Sequence, residues 1–134
     1  MSTVHLVFGP QGAGKTTHAR ALAARIGGVR FSIDEWMAQL FAPDLPATMD
    51  LAWIMARVQR CEQRIWATAM DIVATGTAVV LDLGLMQSQK RRDFGTLANA
   101  AGHEARWHFI DTRESCAYLQ CCFGPRTSGR MTRH

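Results

Sequence analysis

Short apolar runs alternate with longer amphipathic segments along the chain. The apolar runs predict strands near residues 4–8, 29–32, 78–82 and 104–110, and the amphipathic segments predict helices over 15–26, 34–41, 50–75, 88–101 and 113–122. Gly76 and Gly102 follow the third and fourth helices, where glycine commonly ends a helix. Strands that alternate with helices are typical of an α/β fold with a mostly parallel sheet.

The length of 134 residues predicts a single domain. We expect residues 1–112 to form its core, and residues 113–134 to add a C-terminal helix and a basic tail to the same domain. Pro43 and Pro46 separate the second and third helices, so that connection is expected to be a loop.

Composition favours a soluble globular protein, because 48% of the residues are apolar and 19% are charged. The longest apolar runs are far shorter than the roughly 20 residues that a membrane-spanning helix needs. A first strand that begins near residue 4 leaves no room for a signal peptide. The four cysteines have neither metal-ligand nor disulfide spacing, so we expect reduced thiols and a cytoplasmic location.

The net charge of +4 lies almost entirely in the tail. Residues 113–134 contain 4 Lys and Arg against 1 Asp and Glu, whereas residues 1–112 contain 11 against 10. A nearly neutral body does not favour a face that binds duplex nucleic acid, which needs clustered positive charge.

The stretch "VHLVFGPQGAGKTTHAR" has the spacing of a phosphate-binding loop between a strand and a helix. Glycines let the backbone approach a ligand, and successive N–H groups at the positive end of a helix dipole suit a di- or triphosphate. Lys15 would add a charge at the outer phosphates, and Thr16 a hydroxyl ligand for Mg²⁺. The residues expected to contact the nucleotide here are Gly9, Gln11, Gly12, Ala13, Gly14, Lys15, Thr16 and Thr17.

Two acids follow strands and are expected at the same crevice, because ligands collect at the carboxyl ends of parallel strands. Asp34, in "FSIDEW", could act as a general base toward an acceptor hydroxyl or as a partner for Mg²⁺. Ser32 and Glu35 also have the spacing of a helix capping box, which would explain acids there without catalysis. Asp82 ends the strand "AVVLD", a pattern that places a carboxylate beside a metal or substrate.

Other polar and aromatic residues offer weaker signals. Lys90, Arg91 and Arg92 open the fourth helix, where one of them could contact an anionic substrate, although a solvated first turn is the simpler interpretation. Trp36 and Trp53 flank the proline-containing loop and are candidate walls of an acceptor site. No two of the five histidines are spaced as zinc ligands on a helix.

The motifs "GPQGAGKTT", "FSIDEW" and "VVLDLGL" together resemble the small P-loop kinases related to polynucleotide kinase, chloramphenicol phosphotransferase and the zeta-toxin kinases. The resemblance covers roughly residues 3–112. It implies a three-layer P-loop NTPase fold with about four parallel strands in the order 2-3-1-4. It also implies a kinase that depends on ATP and Mg²⁺. In such a kinase Lys15 binds the phosphates, and Thr16 and Asp34 bind the metal. Asp34 also activates the acceptor, and Asp82 orients the substrate.

The chain departs from this family after "HFIDT". Such kinases continue with an arginine-bearing lid and a fifth strand, whereas "RESCAYLQCCFGPRTSGRMTRH" has little amphipathic period. We therefore expect the lid and the fifth strand to be missing, which would leave the fourth strand on an edge and favour a homodimer. Arg113 is the best candidate for a nucleotide contact, with Arg126 and Arg130 as alternatives.

Two hypotheses about function remain at this stage. The first is a phosphotransferase that acts on a hydroxyl of a small molecule or nucleotide, impaired by an incomplete lid; the end of a nucleic acid is a less favoured acceptor. The second is a nucleotide-binding protein without turnover. The absence of an Asn-Lys-x-Asp motif disfavours a GTPase.

Overall fold

A computed structural model describes residues 3–10, 14–84 and 88–110, together with the backbone of two short strands at 118–119 and 129–131. The strands are β1 (Thr3–Phe8), β2 (Val29–Ser32), β3 (Val79–Asp82), β4 (Glu104–Ile110), β5 (Tyr118–Leu119) and β6 (Gly129–Met131). The helices are α1 (Lys15–Ile26), α2 (Ile33–Leu40), α3 (Leu51–Ala74) and α4 (Ser88–Ala100), with a 3-10 turn at Ala42–Asp44. No helix in these ranges is long and apolar enough to span a membrane.

The first four strands form a parallel sheet in the order β2-β3-β1-β4, which confirms the predicted α/β fold and strand order. Val7 and Ser32 both lie beside Asp82 in register. The carboxyl ends of β1, β2 and β3 therefore meet at one edge of the sheet, and the segments that follow these strands begin there.

Helices cover both faces of the sheet, because its central strands β1 and β3 are buried on both sides. On one face, the larger core packs against α3 and α4; its members from the strands include Val4, Leu6, Phe8, Phe31 and Leu81. On the other face, Val7, Val80 and Ile110 pack against Ala19, Leu22 and Ala23 of α1. The result is the predicted three-layer arrangement.

The expectation that β4 lies on an edge and that a fifth strand is missing is wrong. β6 pairs with β4 in parallel along residues 105–107, and β5 pairs with it in an antiparallel manner at residues 109–110. Without β5 and β6, the outer backbone groups of β4 would lack hydrogen-bond partners. The two short strands supply these partners. A homodimer through this edge therefore loses its structural basis.

The helix expected over 113–122 is also wrong at Tyr118–Leu119, which are extended and paired with β4. The segment has little amphipathic period and so only a weak tendency to form a helix. Hydrogen bonding to the available edge of β4 is more favourable there. The other residues of that stretch, including Arg113, lie outside the described residues.

The remaining element boundaries agree with the sequence within one residue, and local capping explains them. Ser32 Oγ accepts a hydrogen bond from the Glu35 N–H at 3.3 Å, and Asp50 Oδ1 accepts one from the Trp53 N–H at 3.1 Å. Gly76 follows α3 with a φ of 95°, as expected of a glycine that ends a helix. The proline-containing connection is a loop that also holds the 3-10 turn at Ala42–Asp44.

Candidate functional site

Two glycines frame the phosphate-binding loop, and each is required for a different reason. Gly9 has a φ of 152°, and a Cβ there would overlap the carbonyl oxygen of Ile110 at the end of β4. Gly14 has a φ of 89° and caps the N-terminus of α1, with nothing within 4 Å of the position of a Cβ. Position 9 therefore requires glycine both because of close packing and because of its backbone conformation, whereas position 14 requires it because of its backbone conformation alone.

The side chain of Lys15 crosses the loop, since its Nζ donates to the carbonyl oxygen of Gly9 at 2.8 Å. The first turn of α1 contains no acidic residue, and its N-cap residue, Gly14, has no side chain that could cap it. Thr16 and Thr17 are exposed in that turn. An uncapped helix N-terminus with an adjacent lysine attracts an anion, because both present positive charge to the same place.

Asp82 ends β3 beside this loop and is only 4% exposed. Burial raises the pKa of its carboxyl group, the charge of Lys15 lowers it, and Asp34 raises it again. The two acids and the lysine singled out from the sequence are therefore close enough to influence one another. A buried carboxylate whose charge is incompletely compensated favours a cation or a proton donor nearby.

Asp34 lies in the first turn of α2 and is exposed. The neighbouring Glu35 has a separate set of contacts, because its carboxylate accepts hydrogen bonds from Arg30 and Arg20. The hydrogen bond from Arg30 and the charges of both arginines lower the pKa of Glu35. Adjacent residues of a helix point in different directions, so these contacts of Glu35 leave the Asp34 carboxylate without a share in them.

The basic start of α4 is less solvated than expected. Lys90 Nζ donates to Oε2 of the buried Glu62 at 2.8 Å and so joins α4 to α3. The guanidinium group of Arg91 lies 4.8 Å from the centre of the Phe8 ring, at the end of β1. Only Arg92 fits the solvated interpretation, since it is exposed and bonds to Gln89 of its own helix.

The two candidate tryptophans pack within the protein. Trp36 packs on Phe31 with ring centres 6.2 Å apart and joins the larger core. Trp53 lies edge to face with Phe41, and the guanidinium group of Arg57 stacks on it at 3.8 Å. Trp36 therefore joins α2 to the core, and Trp53 joins α3 to Phe41 at the end of α2.

Three histidines meet on the α1 face of the sheet. His5 Nδ1 and His108 Nε2 are 3.0 Å apart and form a buried pair, and the ring of His18 lies 5.5 Å from that of His108. Sequence spacing could not reveal this cluster, because the three residues come from β1, β4 and α1. Across the described ranges, no set of three or more His, Cys, Asp or Glu residues is arranged to hold a metal ion.

The structure brings together Gly9, Gly14, Lys15, Asp34 and Asp82, with Thr16 and Thr17 in the same helix turn as Lys15. Gln11, Gly12, Ala13 and Arg113 lie outside the described residues. Sequence analysis missed the contacts of Arg20 and Arg30 with Glu35. The alternating pattern of β2 marks Arg30 as polar, but nothing in it identifies a partner in α2.

Comparison with known proteins agrees with the fold described above. A chain of the Pnkp1/Rnl/Hen1 complex has a similar fold, with a TM-score of 0.66 and 16% sequence identity over 94% of the present chain. The match covers 43% of that chain, so the present chain spans less than half of its length. No curated protein sequence matches.

The family of AAA domains designated AAA_33 matches residues 4–119, which include the loop, both acids and all four parallel strands. Nucleotide binding follows from the P-loop that defines such domains. The chain therefore belongs to the AAA_33 family of P-loop AAA domains.

Proposed function

We propose that the protein is a kinase that uses ATP and Mg²⁺ to phosphorylate a hydroxyl group of a small molecule or nucleotide. One observation carries the proposal: Lys15 lies across the P-loop, with its Nζ 2.8 Å from the Gly9 carbonyl oxygen, at the end of the sheet where β2 leads into Asp34 and β3 ends in the buried Asp82. Phosphoryl transfer depends mainly on positioning and on electrostatic stabilisation, so a lysine and two acids beside a phosphate loop are a suitable set of groups.

The loop side of this crevice suits a triphosphate. The N-terminus of α1 and the ammonium group of Lys15 offer positive charge, and the backbone conformation at Gly9, which glycine adopts readily, lets the loop lie against the end of β4. On binding, Lys15 would exchange the Gly9 carbonyl oxygen for phosphate oxygens. This exchange needs no large movement, because the lysine already lies across the loop.

The oxygen donors available also suit Mg²⁺, which prefers hydroxyl and carboxylate ligands. Thr16 offers an exposed hydroxyl group in the first turn of α1, and Asp34 an exposed carboxylate in the first turn of α2. A bound Mg²⁺ would reduce the repulsion between the phosphate charges. Asp34 would either share in holding that ion or accept the proton of the acceptor hydroxyl, and Asp82 would orient the substrate through its buried carboxyl group.

The thiol of Cys61 is free and buried. Reduced thiols are usual in cytoplasmic proteins, so we infer a cytoplasmic location. The nearly neutral charge of residues 1–112 still favours a small-molecule acceptor over nucleic acid. A homodimer would have to form through a surface other than the edge of β4.

The test is consumption of ATP across a panel of hydroxyl-bearing acceptors, including sugars, nucleosides, antibiotics and oligonucleotides with a free 5′-hydroxyl. Mass spectrometry would identify any product that has gained a phosphoryl group. We expect at least one small acceptor to be phosphorylated in a Mg²⁺-dependent manner. Binding of ATP without any phosphorylated acceptor would contradict the proposal and indicate a nucleotide-binding protein without turnover.

A further inference from the structure

The carboxylate of Glu35 joins three elements around the candidate site. Its Oε2 atom accepts a hydrogen bond from Arg30 in β2 at 2.8 Å and another from Arg20 in α1 at 3.3 Å. We call Arg20, Arg30 and Glu35 the arginine clamp. It links the helix that carries the nucleotide-binding lysine to the helix that carries Asp34.

The clamp acts on the first turn of α2, where Asp34 is the residue before Glu35. Ser32 holds the same turn from the other side, because its Oγ accepts the hydrogen bond of the Glu35 N–H. A turn fixed both at its backbone and at a side chain has little freedom to rotate. The backbone position from which the Asp34 side chain extends is therefore set by the contacts of its neighbour.

The contribution of the clamp to overall stability should be small. The side chains of Arg20 and Glu35 are 64% and 41% exposed, and exposed ion pairs contribute little because water and salt screen them. Arg30 is more enclosed, with 17% of its side chain exposed. The charges of the arginine clamp thus add little to the free energy of unfolding, yet they lie next to Asp34. This favours a role in positioning Asp34 over a role in overall stability.

Resting on the proposed kinase function, we propose that Glu35 and Arg30 are positioning residues, which hold Asp34 at the acceptor hydroxyl and fix its placement relative to Lys15. In this role they act through the placement of Asp34 and not through a contact with the nucleotide or the acceptor. Their loss should lower turnover by displacing Asp34, while binding of ATP remains. Misplacement of a reacting group by about 1 Å is enough to cost on the order of 100-fold in rate.

Glu35→Gln is the direct test, because it removes the charge and keeps the shape. We expect a fall in kcat of about 10- to 100-fold, a KM for ATP within about twofold of the parent, and an unchanged stabilisation by ATP. Arg30→Lys, which keeps the charge but loses the planar fork, should have an intermediate kcat.

Glu62→Gln is the matched control, since it removes a carboxylate paired at the same distance of 2.8 Å, between α3 and α4. It should lower the melting temperature and preserve kcat. Parallel losses of kcat and melting temperature in both variants, or a Glu35→Gln enzyme with kcat within twofold of the parent, would overturn the proposal.

Hydrogen exchange separates the clamp from the proposed reaction. Glu35→Gln should speed the exchange of the amide of residue 35, which donates to Ser32 Oγ, and Glu62→Gln should leave it unchanged. If no acceptor is phosphorylated by the parent, the proposed function fails. Faster exchange in Glu35→Gln alone would then still support the clamp as a positional device, and unchanged exchange would refute it.

Discussion

Gly9→Ala tests whether the loop lies against the end of β4 as described. Gly9 combines a φ of 152° with a Cβ position that overlaps the carbonyl oxygen of Ile110. A non-glycine residue in such a backbone region costs about 1–3 kcal/mol. The overlap involves backbone, so no side-chain rotation relieves it, and forced overpacking adds about 1–3 kcal/mol.

The expected loss in the free energy of unfolding is about 2–6 kcal/mol, a large part of the ~5–15 kcal/mol typical of a domain. Phe8 pairs with Phe109 in register, so the strain falls on two paired strands of the sheet. Urea unfolding followed by tryptophan fluorescence measures it, because Trp107 lies in β4 itself.

Gly27→Ala is the control. Gly27 ends α1 with a φ of 66°, and nothing lies within 4 Å of its Cβ position, so this change costs only the left-handed backbone penalty of about 1–2 kcal/mol. If Gly9→Ala were no less stable than Gly27→Ala, the loop would not approach Ile110, and the account of its conformation would be wrong.

Three further predictions concern charge. Lys15→Ala should abolish most of the thermal stabilisation by ATP, which for the parent is about 2.7 kcal/mol at 100 times the Kd; equal shifts in melting temperature for both proteins would contradict this. Asp82→Asn should stabilise the unliganded protein at pH 7 while reducing turnover. Burial raises the pKa of Asp82 in the folded state, so the penalty of its charge is absent below the ordinary pKa of 3.8 and complete above the raised one. Denaturant titrations from pH 3 to pH 7 should therefore show the advantage of Asp82→Asn growing as pH rises, and a constant or negative difference would refute the assignment. Lys90→Ala leaves the buried Glu62 unpaired and should cost about 3–5 kcal/mol in urea unfolding, whereas a loss under 1 kcal/mol would mean that the pair is solvated.

Much of the fold could be predicted from the sequence, because the signals are local. Apolar runs bounded by glycine predicted the four parallel strands, and helical periodicity with Ser32, Gly76 and Gly102 predicted the helix limits. The phosphate loop is equally local, since its glycines and lysine are contiguous. Asp34 and Asp82 followed from their places at strand ends, once a parallel sheet was assumed.

What could not be predicted depends on contacts between distant segments. β5 and β6 are too short to give a periodic signal, and they exist because β4 offers an edge. Glu62 lies on an apolar stripe of α3, and only the position of α4 reveals that Lys90 neutralises it. The arginine clamp and the histidine cluster likewise join residues that are far apart or on different elements.

The central claim is that Asp34 acts on the acceptor hydroxyl, the second of its two proposed roles, while the loop binds the nucleotide. The most direct measurement is a comparison of the parent with Asp34→Asn, in which ATP affinity is obtained by calorimetry and product formation by mass spectrometry on the same samples. The account predicts a loss of turnover of at least about 100-fold with ATP affinity nearly unchanged. An equal loss of ATP affinity, or turnover that survives the substitution, would contradict it.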